Sequence, residues 1–156
     1  MKYRLKQRFL SWFDSYDIYD EYENVAFTVE GKLGWGHNFE VYDANHNLVG
    51  EIRQKVLAWK TTFEIYKNDE CVGSIKKEIT FLHPKFTIDY RNWQMEGDVW
   101  EWDYEIYSDN SLIATCQKEL FNLTDTYVFD VTNYDDVDDV LMVVVAIDAA
   151  KCSERN

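Results

Sequence analysis

The sequence has 156 residues, of which 46% are hydrophobic and 17% aromatic, and its formal net charge is −13. This is the length of one ordinary domain, so we predict that residues 1–156 form a single domain with its own core. The aromatic content excludes a disordered chain, and the excess of carboxylates argues against general nucleic-acid binding, which requires a basic surface.

A basic strand is predicted at the start of the chain. Four cations alternate with other residues there, so that a strand would place all of them on one face: Lys2, Arg4, Lys6 and Arg8. Such a row is a candidate site for phosphate or an anionic membrane surface, at about 1 kcal/mol per cation near that surface. The alternative is a solvated strand face whose charges are balanced by carboxylates of the same chain.

Alternation with a period of two, in segments rich in aromatic and β-branched residues, extends from about residue 3 to about residue 131. This pattern predicts an all-β sandwich or barrel. A hairpin unit occurs three times, and each time an aromatic-Glu-aliphatic-Tyr strand precedes a polar turn, an apolar pair and a small residue. The first strands of the three units are Phe39–Tyr42, Phe63–Tyr66 and Tyr104–Tyr107. With one proline and six glycines in the chain, Asp, Asn and Ser are expected to form most turns.

The second strand of each hairpin unit predicts what fills the interior. Alternation places three residues of each strand on an inward face: Leu48, Gly50 and Ile52; Cys71, Gly73 and Ile75; Leu112, Ala114 and Cys116. The middle residue is small each time, which allows another backbone to approach closely. We therefore predict a bulky element at the centre, and we expect Cys71 and Cys116 to be buried hydrophobic side chains rather than nucleophiles.

A second, weakly basic region lies between these units. It contains five cations: Arg53, Lys55, Lys60, Lys76 and Lys77. Ordinary exposed strand residues are the preferred interpretation of this region.

The C-terminal segment is predicted to supply the central element as a helix over about residues 136–150. Acidic residues precede the apolar run Val140–Ile147 and Lys151 follows it, an order that matches the helix dipole. Apolar residues on all sides are typical of a helix that is buried all round. Sixteen helical residues rise about 24 Å, close to the ~23 Å of a seven-residue strand. The alternative is a buried strand, because Val143–Val145 favours β-structure.

The cysteines and the apolar segments predict a cytoplasmic protein without a transmembrane segment. Three cysteines without paired spacing do not suggest a disulfide framework. The N-terminal residues lack the apolar core of a secretory signal. The longest strictly apolar run, Val140–Ile147, has eight residues, whereas a membrane span needs about twenty.

No catalytic residue, metal site or cofactor is predicted. Gly31–Gly36 precedes a strand and is interpreted as a hairpin or bulge rather than a phosphate-binding loop. The acidic clusters at residues 14–21 and 135–139 lack the spacing of a calcium loop, and the second also fits a helix N-terminus. Three isolated histidines give no zinc motif: His37, His46 and His83.

Five stretches together carry a resemblance to a known family: Tyr16–Glu21, Val25–Gly31, the hairpins Phe39–Ile52 and Phe63–Ile75, and Asp136–Asp148. In these stretches, which span nearly the whole chain, the sequence resembles the LURP-one-related proteins of the tubby C-terminal-like superfamily. The resemblance implies a closed antiparallel barrel of about twelve strands around a buried C-terminal hydrophobic helix. It also implies relatives that bind phosphoinositide headgroups or act at membranes as phospholipid scramblases, although the lipid-binding residues of tubby domains have no matching positions here.

The leading functional hypothesis is a non-enzymatic binding or membrane-tethering module, peripheral to the membrane, whose ligand is an anionic lipid headgroup. One alternative is a protein–protein interaction domain, for which Trp100 and Trp102 on one strand face would provide an exposed surface. A second is a carrier of an apolar molecule, which a helix in the lumen would displace. A third is a small enzyme that uses histidines and carboxylates on loops.

Overall fold

The computed structural model describes residues 1–6, 15–78, 80–82, 84–119 and 126–153. Twelve strands and one long helix make up this part of the chain. The strands are β1 (Lys2–Lys6), β2 (Tyr16–Asp20), β3 (Val25–Lys32), β4 (Asn38–Asp43), β5 (Leu48–Gln54), β6 (Thr62–Lys67), β7 (Glu70–Glu78), β8 (Lys85–Asp89), β9 (Trp93–Asp98), β10 (Asp103–Ser108), β11 (Ser111–Glu119) and β12 (Thr126–Val131). A 3₁₀ turn at Tyr134–Asp136 leads into the helix α1 (Val137–Cys152).

All strands belong to one antiparallel sheet that curls into a nearly closed barrel. The strands follow each other in sequence order from β1 to β8 and from β9 to β12. The two series are joined because β1 pairs with β12 as well as with β2, with Lys2 opposite Asp130 and Lys6 opposite Thr126. The predicted barrel of about twelve strands is therefore confirmed, with one break between β8 and β9, which end the sheet.

The helix α1 occupies the lumen of the barrel. Each residue of Val140–Ile147 is at most 1% exposed, although these residues cover every side of the helix. Burying one such side chain stabilises a fold by about 1.5–3 kcal/mol. The lumen is lined by inward side chains of the strands that are themselves fully buried, among them Ile18, Val29, Val41, Ile52 and Ile65. The prediction of a central helix is confirmed, and the alternative of a buried strand is wrong.

The glycines of the hairpin units are close to other backbone or to the helix. A Cβ on Gly50 would lie 2.7 Å from Cε of Met142 in α1 and 2.8 Å from the carbonyl oxygen of Tyr66. A Cβ on Gly73 would lie 2.5 Å from the carbonyl oxygen of Asp89 at the end of β8. The small residue thus makes room for the helix at Gly50, as predicted, but for a neighbouring strand at Gly73.

A β-bulge in each hairpin unit changes the facing of one predicted core residue. The register shifts at Tyr42, Tyr66 and Tyr107, which pair with Leu48, Cys71 and Leu112, the first residues of the three predicted inward sets. Because a bulge interrupts the alternation of side chains, these first residues point outward rather than inward: Leu48 is 52% exposed, Leu112 is 38% exposed and Cys71 is exposed. The prediction that they line the interior is wrong.

Cys116 lies beyond the bulge and is buried as predicted. Burial raises the pKa of its thiol to about 12, so that it behaves as a small apolar side chain. Cys71, the other cysteine that was expected inside, also has a raised pKa, for which burial and the nearby Glu64 carboxylate are the main causes. Neither thiol is a ready nucleophile, because the thiolate is the reactive form.

Aspartates form the tight turns of the chain. Oδ1 of Asp20 accepts hydrogen bonds of 2.9 Å from the backbone N–H groups of Tyr22 and Asn24. Oδ1 of Asp43 accepts equivalent bonds from Asn45 and Asn47 at 2.9 and 2.8 Å. These bonds, chiefly those from Asn24 and Asn47, lower the pKa of both carboxyl groups. At these two turns Asp and Asn provide the turn chemistry, in agreement with the prediction that Asp, Asn and Ser form most turns.

We expect Gly73→Ala to lower the free energy of unfolding by about 1–3 kcal/mol, because the new methyl group meets the Asp89 carbonyl and overpacks the site. Gly34→Ala is the matched control. Its Cβ would meet the Nδ2 atom of Asn38, the end of a side chain that can rotate away. Urea unfolding followed by circular dichroism measures both variants, and equal midpoints would contradict the packing described for Gly73.

Candidate functional site

The two ends of the barrel differ in their connections. Because all strands are antiparallel, successive connections alternate between the ends. One end, here called the turn end, has connections of two to four residues, such as residues 68–69 between β6 and β7. The other end, here called the loop end, has longer connections, including residues 33–37, 55–61 and the described residues of 79–84. The helix starts at the turn end and ends at the loop end, where Lys151 contacts Trp100.

Three neighbouring connections of the loop end present apolar side chains to solvent. Six large apolar residues there are at least 82% exposed, and together we call them the apolar tips: Leu33, Trp35, Leu57, Trp59, Phe81 and Leu82. Large apolar side chains that are exposed on neighbouring loops make this region a candidate interaction site.

Hydrogen bonds connect the bases of these three loops. The His37 N–H donates to Oε1 of Gln54 at 3.0 Å, which joins the β3–β4 connection to β5. The Lys77 N–H donates to the Thr61 carbonyl at 2.9 Å, which joins β7 to the β5–β6 connection. The ion pair of Lys60 and Glu78, at 2.8 Å, links the same two elements. The three loops that carry the apolar tips are therefore joined at their bases.

Basic residues surround the apolar tips. Residues 32–38, 53–61 and 76–85 contain one acidic residue, Glu78, and seven basic ones: Lys32, Arg53, Lys55, Lys60, Lys76, Lys77 and Lys85. Lys77 is buried against the Trp100 ring, and the other six point outward. Lys32 and Arg53 form ion pairs with Glu30 and Glu51 of their own strands. Among the described residues, Lys55, Lys76 and Lys85 form no ion pair.

The turn end has the opposite charge. Its connections and the start of α1 (residues 20–24, 43–47, 67–70, 89–92, 108–111 and 133–139) contain twelve acidic residues and two basic ones, Lys67 and Arg91. The loop end is also acidic between β9 and β10, where Asp98 and Glu101 lie. Among the described residues, the basic side chains of the loop end are therefore concentrated on its β3–β8 side, around the apolar tips, whereas the turn end is acidic.

Of the cations in the weakly basic region, Arg53 and Lys76 are strand residues as predicted, whereas Lys55 and Lys60 lie in the β5–β6 connection and Lys77 is buried. These cations are grouped at the bases of the loops that carry the apolar tips. Sequence patterns alone missed the tips, because loop exposure has no periodic signature. One signal was present: the motif Leu-x-Trp occurs at Leu33–Trp35 and again at Leu57–Trp59.

The basic strand β1 has the predicted alternation. Tyr3 and Leu5 are buried, and Lys2, Arg4 and Lys6 point outward, whereas Arg8 lies outside the described residues. Nη1 of Arg4 binds Glu23 at 2.8 Å, and its Nε lies 3.9 Å from Glu119. Lys2 pairs in the ladder with Asp130, and Nζ of Lys6 lies 5.4 Å from the Tyr19 ring centroid. Anion binding by this strand stays a prediction, and Arg4 already has carboxylate partners.

The acidic residues at the start of α1 bind cations of the barrel wall. Asp139 accepts hydrogen bonds from Lys67, from the Tyr90 hydroxyl and from Nη1 of Arg91, the last at 2.6 Å. Nη1 of Arg91 also binds Asp136 at 2.8 Å. Burial by itself would raise the pKa of Asp139, but the hydrogen bonds from Lys67 and Tyr90 outweigh it and hold that pKa below its ordinary value.

The predicted capping role of these acids needs a correction. The carboxylate of Asp136, the residue before the helix, makes no side-chain cap, because it faces Arg91 instead of the first helical N–H groups. Among the described residues, no group of three or more His, Cys, Asp or Glu side chains is arranged to hold a metal ion.

The described histidines lie far apart. His37 is half-buried at the loop end, where burial lowers its pKa. His46 lies at the turn end and stacks on the Tyr42 ring with centroids 4.4 Å apart. His83 lies outside the described residues. His37 and His46 therefore do not share a cleft, as the enzyme hypothesis would require of them.

Trp100 and Trp102 do not share a strand face. Residues 99–102 form a turn, and β10 starts at Asp103, so neither tryptophan lies in a strand. Trp102 is buried and stacks on Tyr127 at 4.2 Å. Trp100 stacks on Phe86, with ring centroids 6.5 Å apart. The surface that this pair was expected to provide for a partner is absent.

A cavity of about 700 Å³ opens in the barrel wall where the ladder is broken. Residues 80–82 and 84–87 line one side of it, and Met95 with residues 97–99 lines the other. The lumen itself is filled by α1. The carrier hypothesis, which required space inside the barrel, therefore has no room there.

No helix in the described ranges has both the length and the apolar character needed to cross a bilayer.

Comparisons with known proteins agree with the fold. The family model of the LURP-one-related proteins matches residues 1–148. The uncharacterized protein YxjI of Bacillus subtilis (strain 168) is 32% identical over 96 residues, which are 61% of this chain and 59% of that protein. The match thus spans less than two thirds of the length of this relative. A protein from Arabidopsis thaliana with a known X-ray structure superposes with a TM-score of 0.58 at 13% identity, over 92% of this chain and 88% of that one. At this identity the likeness concerns the fold alone.

Proposed function

The chain belongs to the LURP-one-related family, and on that premise we propose that it is a non-enzymatic module that docks peripherally on anionic membranes through the apolar tips. One observation carries the proposal: six almost fully exposed apolar side chains stand on three adjacent loops amid cations. Tryptophan favours the membrane–water interface, and each Lys or Arg near an anionic surface adds about 1 kcal/mol of attraction. The two contributions act in the same place.

The charge asymmetry of the barrel supports one orientation. The basic sector would face the anionic surface, and the acidic turn end would point away from it, since like charges repel. The barrel axis would then be roughly perpendicular to the membrane. Only the loop tips would enter the headgroup region, and the hydrogen-bonded bases of the loops would stay outside it.

The basic strand β1 would contribute unequally in this orientation. It runs from Lys2 at the turn end to Lys6 at the loop end. Electrostatic attraction falls off within about 8–10 Å at physiological ionic strength. Lys6 would therefore add to the basic surface, whereas Lys2 would be too distant.

We expect Trp35→Ala combined with Trp59→Ala to weaken binding to anionic vesicles by about tenfold or more, because both side chains would lose their place in the interface. Co-sedimentation with phosphatidylcholine vesicles that contain 30% phosphatidylserine measures the change. The matched control is Tyr22→Ala combined with Tyr134→Ala. These aromatic residues are each 77% exposed but lie at the turn end, and the control should bind as the wild type does.

The charge of the surface is tested separately. Binding should fall as salt increases, and Lys55→Glu with Lys76→Glu should weaken it at low salt, whereas Lys2→Glu should not. If the wild-type protein fails to bind anionic vesicles at low salt, the proposal is wrong, and the apolar tips are then a surface for another protein. If the loop-end and turn-end variants lose vesicle binding to the same extent, the proposed orientation is wrong.

A further inference from the structure

We propose that the seam between β8 and β9 binds an extended peptide segment of a partner protein, which adds to the free edge of β8 as a further strand. The proposal is independent of membrane docking, although both surfaces include the β7–β8 connection. Its basis is the combination of unpaired strand edges, a cavity between them and a charge pattern along their rims.

The two edges lie side by side but do not pair. The turn between them has a hydrogen bond of 2.9 Å from the Trp93 N–H to the Tyr90 carbonyl, and Arg91 and Asn92 are left-handed, with φ of 51° and 54°. This is the geometry of a two-residue hairpin turn, which ordinarily joins two paired strands. In the described chain, however, β8 and β9 are the two ends of the sheet. Their outer N–H and C=O groups are therefore available to a further strand.

Aromatic side chains pack at both ends of the seam. Tyr90 and Trp93 pack edge to face at the turn, with ring centroids 5.6 Å apart. Near the loop end, Phe86 of β8 stacks on Trp100 of the β9–β10 turn. The cavity of about 700 Å³ is lined by residues of both strands on the loop-end side. This volume is within the range of sites that enclose a ligand.

The lining predicts the chemistry of the segment. The inner part of the cavity is apolar, with Phe86, Met95 and Val99. The outward residues of the two strands form the rims of the seam, and they are exposed: Lys85, Thr87 and Asp89 on β8, and Gln94, Glu96 and Asp98 on β9. Three of these six are acidic and one is basic. Because side chains of a strand alternate between faces, the fitting segment has apolar residues that point inward and basic residues that point outward.

A synthetic ten-residue peptide of alternating Val and Lys is the probe. On the full-length protein, we expect it to slow hydrogen exchange of backbone amides in β8 and β9, as strand addition requires. The same peptide with N-methyl groups on alternate residues keeps its charge but loses its donors along one edge, and it should bind at least tenfold more weakly. Equal binding of the two peptides, or exchange in β8 and β9 that does not change, would overturn the proposal.

Variants of the protein locate the site. Met95→Arg should lower the affinity for the peptide by about tenfold or more, because it places a cation in the cavity. The volume-conserving variant Met95→Leu should bind the peptide as the wild type does. Val72→Arg, at an exposed position of β7, adds the same charge away from the seam and should leave the affinity within about twofold. Vesicle binding by the same proteins is measured in parallel, so that loss of peptide binding and loss of membrane docking are separate results. A peptide affinity that Met95→Arg leaves unchanged would place the contact elsewhere and overturn the proposal.

Discussion

Val144→Asp is expected to abolish the cooperative fold. Val144 lies in the middle of α1 and is 0% exposed, and the helix side chains around it are apolar and buried. An unpaired carboxylate in such a place costs several kcal/mol even after it takes up a proton. That cost is comparable with the whole free energy of unfolding of a typical domain, about 5–15 kcal/mol. Thermal and urea unfolding, followed by near-ultraviolet circular dichroism, measure the loss.

The control and the pH dependence make this test specific to the lumen. Val72→Asp introduces the same group on β7 at a position that is 40% exposed, and it should cost less than about 1 kcal/mol. The introduced carboxyl in α1 would have a folded-state pKa above its unfolded value of about 3.9. Any remaining stability should therefore be greatest at low pH and decrease as the pH rises through the folded-state pKa. A wild-type midpoint for Val144→Asp would mean that α1 does not fill the barrel.

Asp139→Ala is expected to lower the free energy of unfolding by about 2–4 kcal/mol, the second largest effect. The substitution removes the acceptor that Lys67, Tyr90 and Arg91 share at the start of α1. Arg91 keeps Asp136 as a partner, but Lys67 and the Tyr90 hydroxyl lose a largely buried acceptor, and removing one partner of a buried ion pair costs more than the pair contributes. The Asp139 carboxylate is 15% exposed, so solvent replaces it only in part. Urea unfolding at pH 7 gives the difference.

Asp138→Ala is the matched control for this cluster. Asp138 is the preceding residue of the helix and is exposed, and its loss should change the stability by less than about 0.5 kcal/mol. The pH profile adds a second criterion. Because the folded-state pKa of Asp139 lies below its ordinary value, its contribution is present above the unfolded pKa and disappears as the pH falls through the folded one. The free energies of unfolding of the wild type and of Asp139→Ala, plotted against pH, should converge at low pH. A constant difference between them at every pH would contradict the role assigned to Asp139.

The parts of the fold that sequence patterns predicted are those with a local signal. The run Val140–Ile147 is apolar on all sides, with acidic residues before it and a lysine after it. These charges match the helix dipole and the segment has the length of a barrel strand, which is why a buried central helix could be predicted. The three hairpin units were visible because their Glu-aliphatic-Tyr strands repeat. Such signals depend on neighbours in the sequence, which a single chain displays directly.

The parts that were missed depend on contacts between distant residues or on a one-residue shift. A bulge at Tyr66 turns Cys71 from the interior to the surface, and the alternation of residues in β7 does not predict this bulge. The acids before α1 were interpreted as caps, since the Arg91 that binds Asp136 lies in a different hairpin. The grouping of Trp35, Trp59 and Phe81 at one end likewise required the strand order.

Pairing of β1 with β12 has a consequence for synthesis on the ribosome. The two strands that join the halves of the wall lie near opposite ends of the sequence, and the helix that fills the wall follows all twelve strands. At roughly 5–20 residues per second, the strands of the nascent chain are present for several seconds before α1 is made, and during that time their inner apolar side chains have no helix to pack against. The wall can therefore close only after β12 has been synthesised, and its lumen is filled only when α1 follows.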